Sequence, residues 1–409
     1  VTRHGTRLRT ALTVLAAWSA LAGAALTGAA PASGTQSARA IASGVQYRQF
    51  DISAAHGVAH AHLISVDLRN RHVRVDLLYP GSVAARAPVS RLADARGAVA
   101  GINGDFFNIN ETQHPGVAAT GSPVGPAVAS GHTLKAAVPR GQRFGPDLPP
   151  GTSTEDVLGV GADRTARLDR LVLNGTVSTP RGRLRLGGLN QYALAQGSIG
   201  AYTSDWGTVS RVRATCGTDT DRAAPCSTDT HEVTVRNGRV VATADRPGTG
   251  PIPSGTTVLV GREAGARQLR ALSKGEPVRV RSRLVAASSR VPYRFAIGGY
   301  PVLRHGSPLS GLDDGTSTVR TAVGIADGGH RLLLLALDGA VGYRSGLTVA
   351  EVASTLRGLG ATDGFNLDGG GSTTLVVRPR GAGSVTVRNH PSGGTERPVP
   401  DAIGVFAGF

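Results

Sequence analysis

The chain has 409 residues, more than one compact core usually needs, so one large domain or two smaller ones are expected. With 57 Gly, 23 Pro and 40% hydrophobic residues it is too apolar for a disordered chain and too rich in turn formers for a helical bundle. The formal charge of +16 rests on 44 Lys plus Arg, of which only Lys135 and Lys274 are Lys. The Arg stand singly, as at Arg164, Arg167, Arg170, Arg181, Arg183 and Arg185, without a dense tract or interleaved aromatics. That spacing argues against a nucleic-acid surface and is compatible with a general attraction to anionic polymers, phosphate-bearing glycans included.

In chain order, Arg3, Arg7 and Arg9 precede an apolar run from Ala11 to Leu26 and small residues from Gly28 to Ser33. These are the three regions of a signal peptide, predicted over residues 1–32 with cleavage after Ala30 or Ala32. The run is interrupted by Gly and Ser and short for a retained span, so no stable membrane insertion is expected after cleavage. The protein is expected to be secreted or held in the cell envelope. Residues 33–44 read as a small-residue linker.

A period of two then predicts strands at 47–52, 61–68 and 73–78, followed by a short helix over 88–96 and a buried strand at 98–102. This N-terminal β section, 45–150, leads into a β-rich middle elaboration, 151–290, with hairpin patterns at Leu171–Gly175 and at 232–241. The second carries an Asn237-Gly238 turn. A short helix is predicted over 264–272. Two cysteines in an exported chain fit one disulfide, Cys216–Cys226, around a polar, turn-rich loop. The third section, 291–409, holds the densest signal. Arg331 to Leu337 reads as a fully buried strand, Thr348 and Glu351 as a capping box on a helix, 363–367 as a returning strand and 375–377 as another. The predicted fold class is α+β: mainly strands with a few short helices, and catalytic loops at strand ends.

The sharpest local pattern is Asn366-Leu367-Asp368-Gly369-Gly370-Gly371-Ser372. Three successive Gly can turn their N–H groups into one concavity, an anion nest with the Ser372 hydroxyl at its lip and Asp368 beside the bound phosphate. A plain hairpin turn is the alternative. Several further segments occur with it in order: Ile102-Asn103-Gly104-Asp105-Phe106-Phe107, Phe295 to Leu303, Arg320-Thr321-Ala322-Val323-Gly324-Ile325, Leu337-Asp338-Gly339, Gly346-Leu347-Thr348, and Asn389-His390-Pro391-Ser392 with Glu396-Arg397. With this ordered set, spanning about Val99 to Phe406, the chain resembles the phosphodiester glycosidases related to the lysosomal enzyme that uncovers mannose-6-phosphate by removing N-acetylglucosamine.

The resemblance implies a hydrolase acting on a sugar-1-phosphodiester in an envelope or extracellular glycan. Cleavage at the sugar carbon releases a phosphate monoester, a weak base, so a strong general acid is less necessary than in ordinary glycoside hydrolysis. The site needs phosphate stabilisation, for which Gly369, Gly370, Gly371, Ser372, Arg320 and Arg397 are candidates. It also needs a carboxylate, for which Asp368, Asp338 and Asp105 are candidates, each at or just beyond the end of an apolar strand. Asn103 and Asn366 could orient sugar hydroxyls or satisfy backbone groups. Phe106, Phe107 and Tyr343 could form a sugar platform or pack in the core, and His390 could be an acid or base or a loop histidine without a role. Asp338-Gly339 could be only a turn, Asp105 only a turn cap, and Arg320 one more Arg. No cofactor or essential metal is expected: three Asp near a phosphate suit Ca²⁺ or Mg²⁺, but no ligand-spaced cluster appears. Two other functions fit the same residues: a non-catalytic module binding envelope glycan or phosphate polymers, and a phosphodiesterase or transferase of exopolysaccharide metabolism attacking at phosphorus.

Overall fold

In the computed structural model the strongest periodic signals form the centre of the molecule. Residues 37–340, 342 and 345–408 are described. The predicted signal peptide, 1–32, and Tyr343 lie outside them. The described residues make one compact unit. It is mainly β, 40% strand against 11% helix, as the turn-rich composition predicts.

Arg331–Leu337 forms a strand whose last six residues are buried. Antiparallel neighbours, Gly57–Asp67 and Thr321–Ala326, occupy both its edges. Asp363–Leu367 lies beyond Thr321–Ala326, and Tyr300–Arg304 beyond that. On the other flank Val45–Ala54 pairs with Gly57–Asp67 in a long hairpin. These strands belong to one eight-stranded sheet. Arg39–Ala42, inside the predicted linker 33–44, is its edge strand: the chain turns at Gly44 (φ +72°), pairs with Val45–Ala54 and buries Ile41. The helix Val349–Gly358 packs on this sheet through Val352, Ala353 and Leu356. Its capping box forms as read, with Glu351 N donating to Thr348 Oγ1 at 3.1 Å and Thr348 N to Glu351 Oε2 at 2.8 Å.

A shorter five-stranded sheet runs in the order Thr386–Val387, Leu375–Val377, Ala100–Asn103, Ala402–Phe406, Arg74–Leu78. The chain passes from the large sheet to this short one through residues 368–374, so the Gly-rich segment is the joint between them. The helix Val89–Arg96 packs on the short sheet. In the middle section, Thr230–Arg236 and Arg239–Ala244 form the predicted hairpin, with Asn237 and Gly238 at φ 50° and 72°. Leu171–Gly175, read as a hairpin, instead lies within one strand, Ala166–Thr179. It continues straight because Gly182–Arg185 and Arg279–Ala286 supply partners along it, and the Leu186 side chain packs against Gly175.

Cys216 and Cys226 are joined. The loop they close lies on the segment 139–144: Gly141 N donates to Asp219 O (3.0 Å), Gln142 Nε2 to Thr218 O (2.5 Å) and Arg222 Nη1 to Arg143 O (2.6 Å). Among the described residues, no helix is long and apolar enough to cross a membrane.

Candidate active site

Strand ends from both sheets meet at the joint. Asp105 follows Ala100–Asn103, Asp401 precedes Ala402–Phe406, and Asp368 follows Asp363–Leu367. Backbone bonds lock the three segments together: Asp368 N donates to Gly104 O at 2.9 Å, Gly104 N to Asp401 O at 3.1 Å, and Asp105 N to Asp401 Oδ1 at 2.9 Å. Asn103 clamps the same point. Its Nδ2 donates to Asp368 O (2.7 Å), and its Oδ1 accepts from Thr321 Oγ1 (2.9 Å) and Thr374 N (3.1 Å). Of the two roles open to Asn103, the structure displays the backbone one.

Asp105 is buried, its Oδ2 accepting from Gly125 N at 2.5 Å while its Oδ1 has no partner among the described residues. Gly298 allows this depth, since a Cβ there would run into the Asp105 carboxylate and come within 2.7 Å of Gly125 Cα. Burial pushes the Asp105 and Asp401 carboxyls well above the usual carboxylate range, and their mutual repulsion adds to the rise at Asp401. Asp368 as a residue is less enclosed than Asp105 and Asp401, although its carboxyl is desolvated. Burial raises it to about 6, against the Ser372 hydrogen bond and the nearby Arg397 guanidinium, which favour its charge.

Two cations complete the cluster. Lys135 is fully buried, and its Nζ donates to the carbonyls of Val124 (3.1 Å), Gly125 and Ala136 (2.6 Å). Burial takes its pKa down to about 7, although Asp105 and Asp401 pull it up. Three carbonyl acceptors use all three ammonium protons, so this geometry is that of the charged form. Arg143 lies over the rings of Phe106 (4.5 Å) and Tyr300 (5.4 Å), and its Nη1 donates to Pro146 O. Its Nη2 is buried without a partner among the described residues, as are the Tyr300 hydroxyl and Asn366 Oδ1. Asn366 is the cross-strand partner of Tyr300, and the Arg143 charge is felt by both Asp105 and Asp368. Orphaned buried polar atoms are uncommon. Four of them, on Asp105, Arg143, Tyr300 and Asn366, share this one neighbourhood.

The Gly-rich segment is built differently from an open nest. Gly370 takes φ +58°, but its N–H goes to Val319 O at 2.8 Å, and Ser372 N returns to Gly369 O at 3.1 Å. The Gly369 N–H supports the Asp368 carboxylate. The N–H groups of Gly369, Gly370 and Ser372 are thus engaged within the protein rather than turned into one open concavity. Arg397 packs against Gly371 and donates to Ser372 Oγ at 3.3 Å, which brings it to Asp368 as the motif reading expects.

Asp338 stands at the same end of the large sheet but outside this cluster, and Arg320 lies at its edge, close enough for its charge to act on the Tyr300 hydroxyl. Asp338 Oδ1 accepts from His62 Nε2 (3.0 Å) and His390 N (2.6 Å). Burial alone would raise its pKa; the two histidines hold it below the usual range instead. Arg320 donates from Nε to Leu347 O (2.9 Å) and from Nη2 to Thr316 O (2.8 Å), pinning the loops around the capped helix. Phe106 and Phe107 are buried, as core packing requires. The grouping of His114 with Cys216 and Cys226 has metal-ligand reach, but both sulfurs are spent in the disulfide.

Lys135, Arg143 and Asp401 escaped the sequence reading. Lys135 had a signal, being one of two Lys in a chain that otherwise uses Arg. Asp401 stands just before an apolar strand rather than after one, so the feature that marks the other Asp passes over it. Nothing in Gly141-Gln142-Arg143-Phe144 marks its Arg.

The fold is shared with solved structures. A Synechocystis protein described as hypothetical aligns with a TM-score of 0.68 and 22% identity over 93% of this chain. The chain spans 64% of the length of that protein. A protein of Burkholderia pseudomallei K96243 aligns with a TM-score of 0.64 and 25% identity, over 87% of this chain and 75% of the other. The catalytic domain of zebrafish N-acetylglucosamine-1-phosphodiester alpha-N-acetylglucosaminidase, auto-inhibited by its pro-peptide, aligns at 0.44 and 16% identity, over 91% and 88%. No curated protein matches the chain. The resemblance read from the motifs is borne out over the section that carries Tyr300, Asp368, Arg397 and Asp401: residues 229–406 match the phosphodiester glycosidase family.

Proposed function

We propose that the protein hydrolyses a sugar-1-phosphodiester in an extracellular or envelope glycan, with attack at the sugar carbon. The observation that carries this reading is the set of orphaned polar atoms on Asp105, Arg143, Tyr300 and Asn366 beside Asp368, the least enclosed of the three aspartates. A substrate offering both an anion and hydroxyls would satisfy them. Asp368 takes the proton of the attacking water. The bond between the anomeric carbon and the phosphate oxygen breaks, and its electron pair leaves with the phosphate monoester. Arg143 and Arg397 neutralise the phosphate, while Asp105, backed by Lys135 and Asp401, stands against the sugar side. A purely binding module would gain nothing from a carboxylate held near pH 6 at this point, whereas a base works best when its pKa lies near the working pH.

Incubation with a panel of sugar-1-phosphodiesters should release free sugar and a phosphate monoester. A diester with no sugar, such as bis(p-nitrophenyl) phosphate, should survive. Cleavage of the sugar-free diester at a comparable rate would sink the reading. Export belongs to the same proposal, supported by the tripartite start of the sequence and by the disulfide, which suits an oxidising compartment. N-terminal sequencing of secreted material should begin near Pro31 or Ser33; a sequence still holding Arg3 would contradict it.

A further inference from the structure

The Arg that the sequence scatters are partly gathered by the fold. At the edge of the large sheet, Arg39 and Arg48 come from Arg39–Ala42 and Val45–Ala54. At the edge of the short sheet, Arg378, Arg380 and Arg388 come from the end of Leu375–Val377 and the segment after it. These five side chains line a groove of about 270 Å³ with Tyr47 among them, and none of its lining residues is acidic. Arg378 is engaged with Ala98 O, Gly383 O and Asp94 Oδ1. Arg48 lies 4.9 Å from the Phe50 ring and Arg388 5.9 Å from the Tyr47 ring. The Arg388 Nε is buried without a partner among the described residues. Like charges crowded into a concavity repel one another, and an anion threaded between them removes that penalty.

We propose that this groove is a binding site for the phosphodiester backbone of a polymeric glycan, set apart from the site of cleavage; the glycan class rests on the function proposed above. Position supports it. Tyr47 Oη and Gln49 Nε2 approach His62 Nδ1 at 2.8 and 3.3 Å, and His62 holds Asp338, so the groove abuts the same end of the large sheet that carries Asp368. Gln49, His62, Ala336, Thr321 and Leu367 lie in one cross-strand row. At the usual spacing between strands, four intervals put the Gln49 wall of the groove about 20 Å from Leu367, the residue before Asp368, a distance a polymer covers and a single sugar phosphate does not. A nucleic acid carries the same backbone charge but gains its grip on single strands from base stacking. Tyr47 is the one aromatic among the lining residues, and its ring is already stacked on His62 at 6.1 Å and 24°.

The test titrates the full-length mature protein calorimetrically with poly(glycerol phosphate) and, separately, with single-stranded DNA of equal charge. The variants are the triple Arg48→Gln, Arg380→Gln, Arg388→Gln and its Lys counterpart. Wild type should bind poly(glycerol phosphate) more tightly than DNA. The Gln triple should bind at least 10-fold more weakly, with the dependence of log K on log salt flattened by about 2. The Lys triple should recover most of the affinity, and turnover of a small sugar-1-phosphodiester should be unchanged in both. Wild-type affinity in the Gln triple, or tighter binding of DNA than of poly(glycerol phosphate), would overturn the proposal. Should the Gln triple melt early, the exposed Arg380→Glu alone must weaken binding for the proposal to stand. Binding is read without catalysis, so a protein that hydrolyses no glycosyl phosphodiester would defeat the proposed reaction and leave the groove to be judged by these titrations.

Discussion

Asp368→Asn is expected to lower kcat on a glycosyl phosphodiester by roughly 10²-fold or more while leaving the protein folded. The substitution keeps the shape and removes the charge that would accept the water proton. The carboxyl sits at about 6, so wild-type kcat should rise with pH through that value, and the variant should lose the step. Stability should move the other way. Because the folded state raises this pKa, it holds the proton more tightly than the unfolded chain does. That contribution is fully present below about pH 4 and lost as pH rises through 6. At pH 8 the ionised carboxylate therefore costs the fold about 3 kcal/mol, at 1.36 kcal/mol per pKa unit. Asn carries no such cost, so the variant should melt about 4 °C above wild type at pH 8, the gap closing toward pH 4. Paired melting curves and kinetics check both halves; near-wild-type turnover in folded Asp368→Asn would remove Asp368 from the chemistry and turn attention to Asp105.

The second large effect separates two arginines that look alike in sequence. Arg143→Gln should lower kcat/KM by roughly 10- to 100-fold, the scale of one charge-assisted hydrogen bond of about 1.5–3 kcal/mol. Apparent KM should rise as kcat falls, since the phosphate is charged in both ground and transition states. Arg143→Lys should recover part of the loss. Arg320→Gln should act mainly through the fold, because its guanidinium is spent on Leu347 O and Thr316 O even though its charge reaches Tyr300. Its melting temperature should drop while kcat/KM per folded molecule stays within a few-fold of wild type. Equal activity losses in the two would mean that Arg320 also faces the substrate.

Legibility from sequence followed how local the determining interaction is. The strands 331–337 and 363–367 and the Thr348–Glu351 cap declare themselves through apolar periodicity and a fixed three-residue spacing, and they fold where read. Asp368 and Arg397 were legible through the motif set, and they lie close enough for the guanidinium to favour the Asp368 charge. Asp338 and Arg320 carried the same motif signal, but what they touch depends on His62, His390, Leu347 and Thr316, brought in by tertiary packing. Lys135 and Arg143 lie in the segment between Asp105 and the middle section and reach the joint only because Gly125 and Gly298 let two backbones close on Asp105. No spacing rule encodes that approach. In the glycine run the positive φ at Gly370 was foreseeable, but its N–H goes to Val319 O, in a loop far away in sequence, which no local pattern encodes.

Attack at the sugar carbon by water activated at Asp368 leaves an isotopic signature in the products. Single-turnover cleavage of a sugar-1-phosphodiester in ¹⁸O-labelled water, read by mass spectrometry of both products, tests it most directly. Label in the hydroxyl of the released sugar, with unlabelled phosphate monoester, is the predicted result. Label in the phosphate would place the attack at phosphorus and contradict the account.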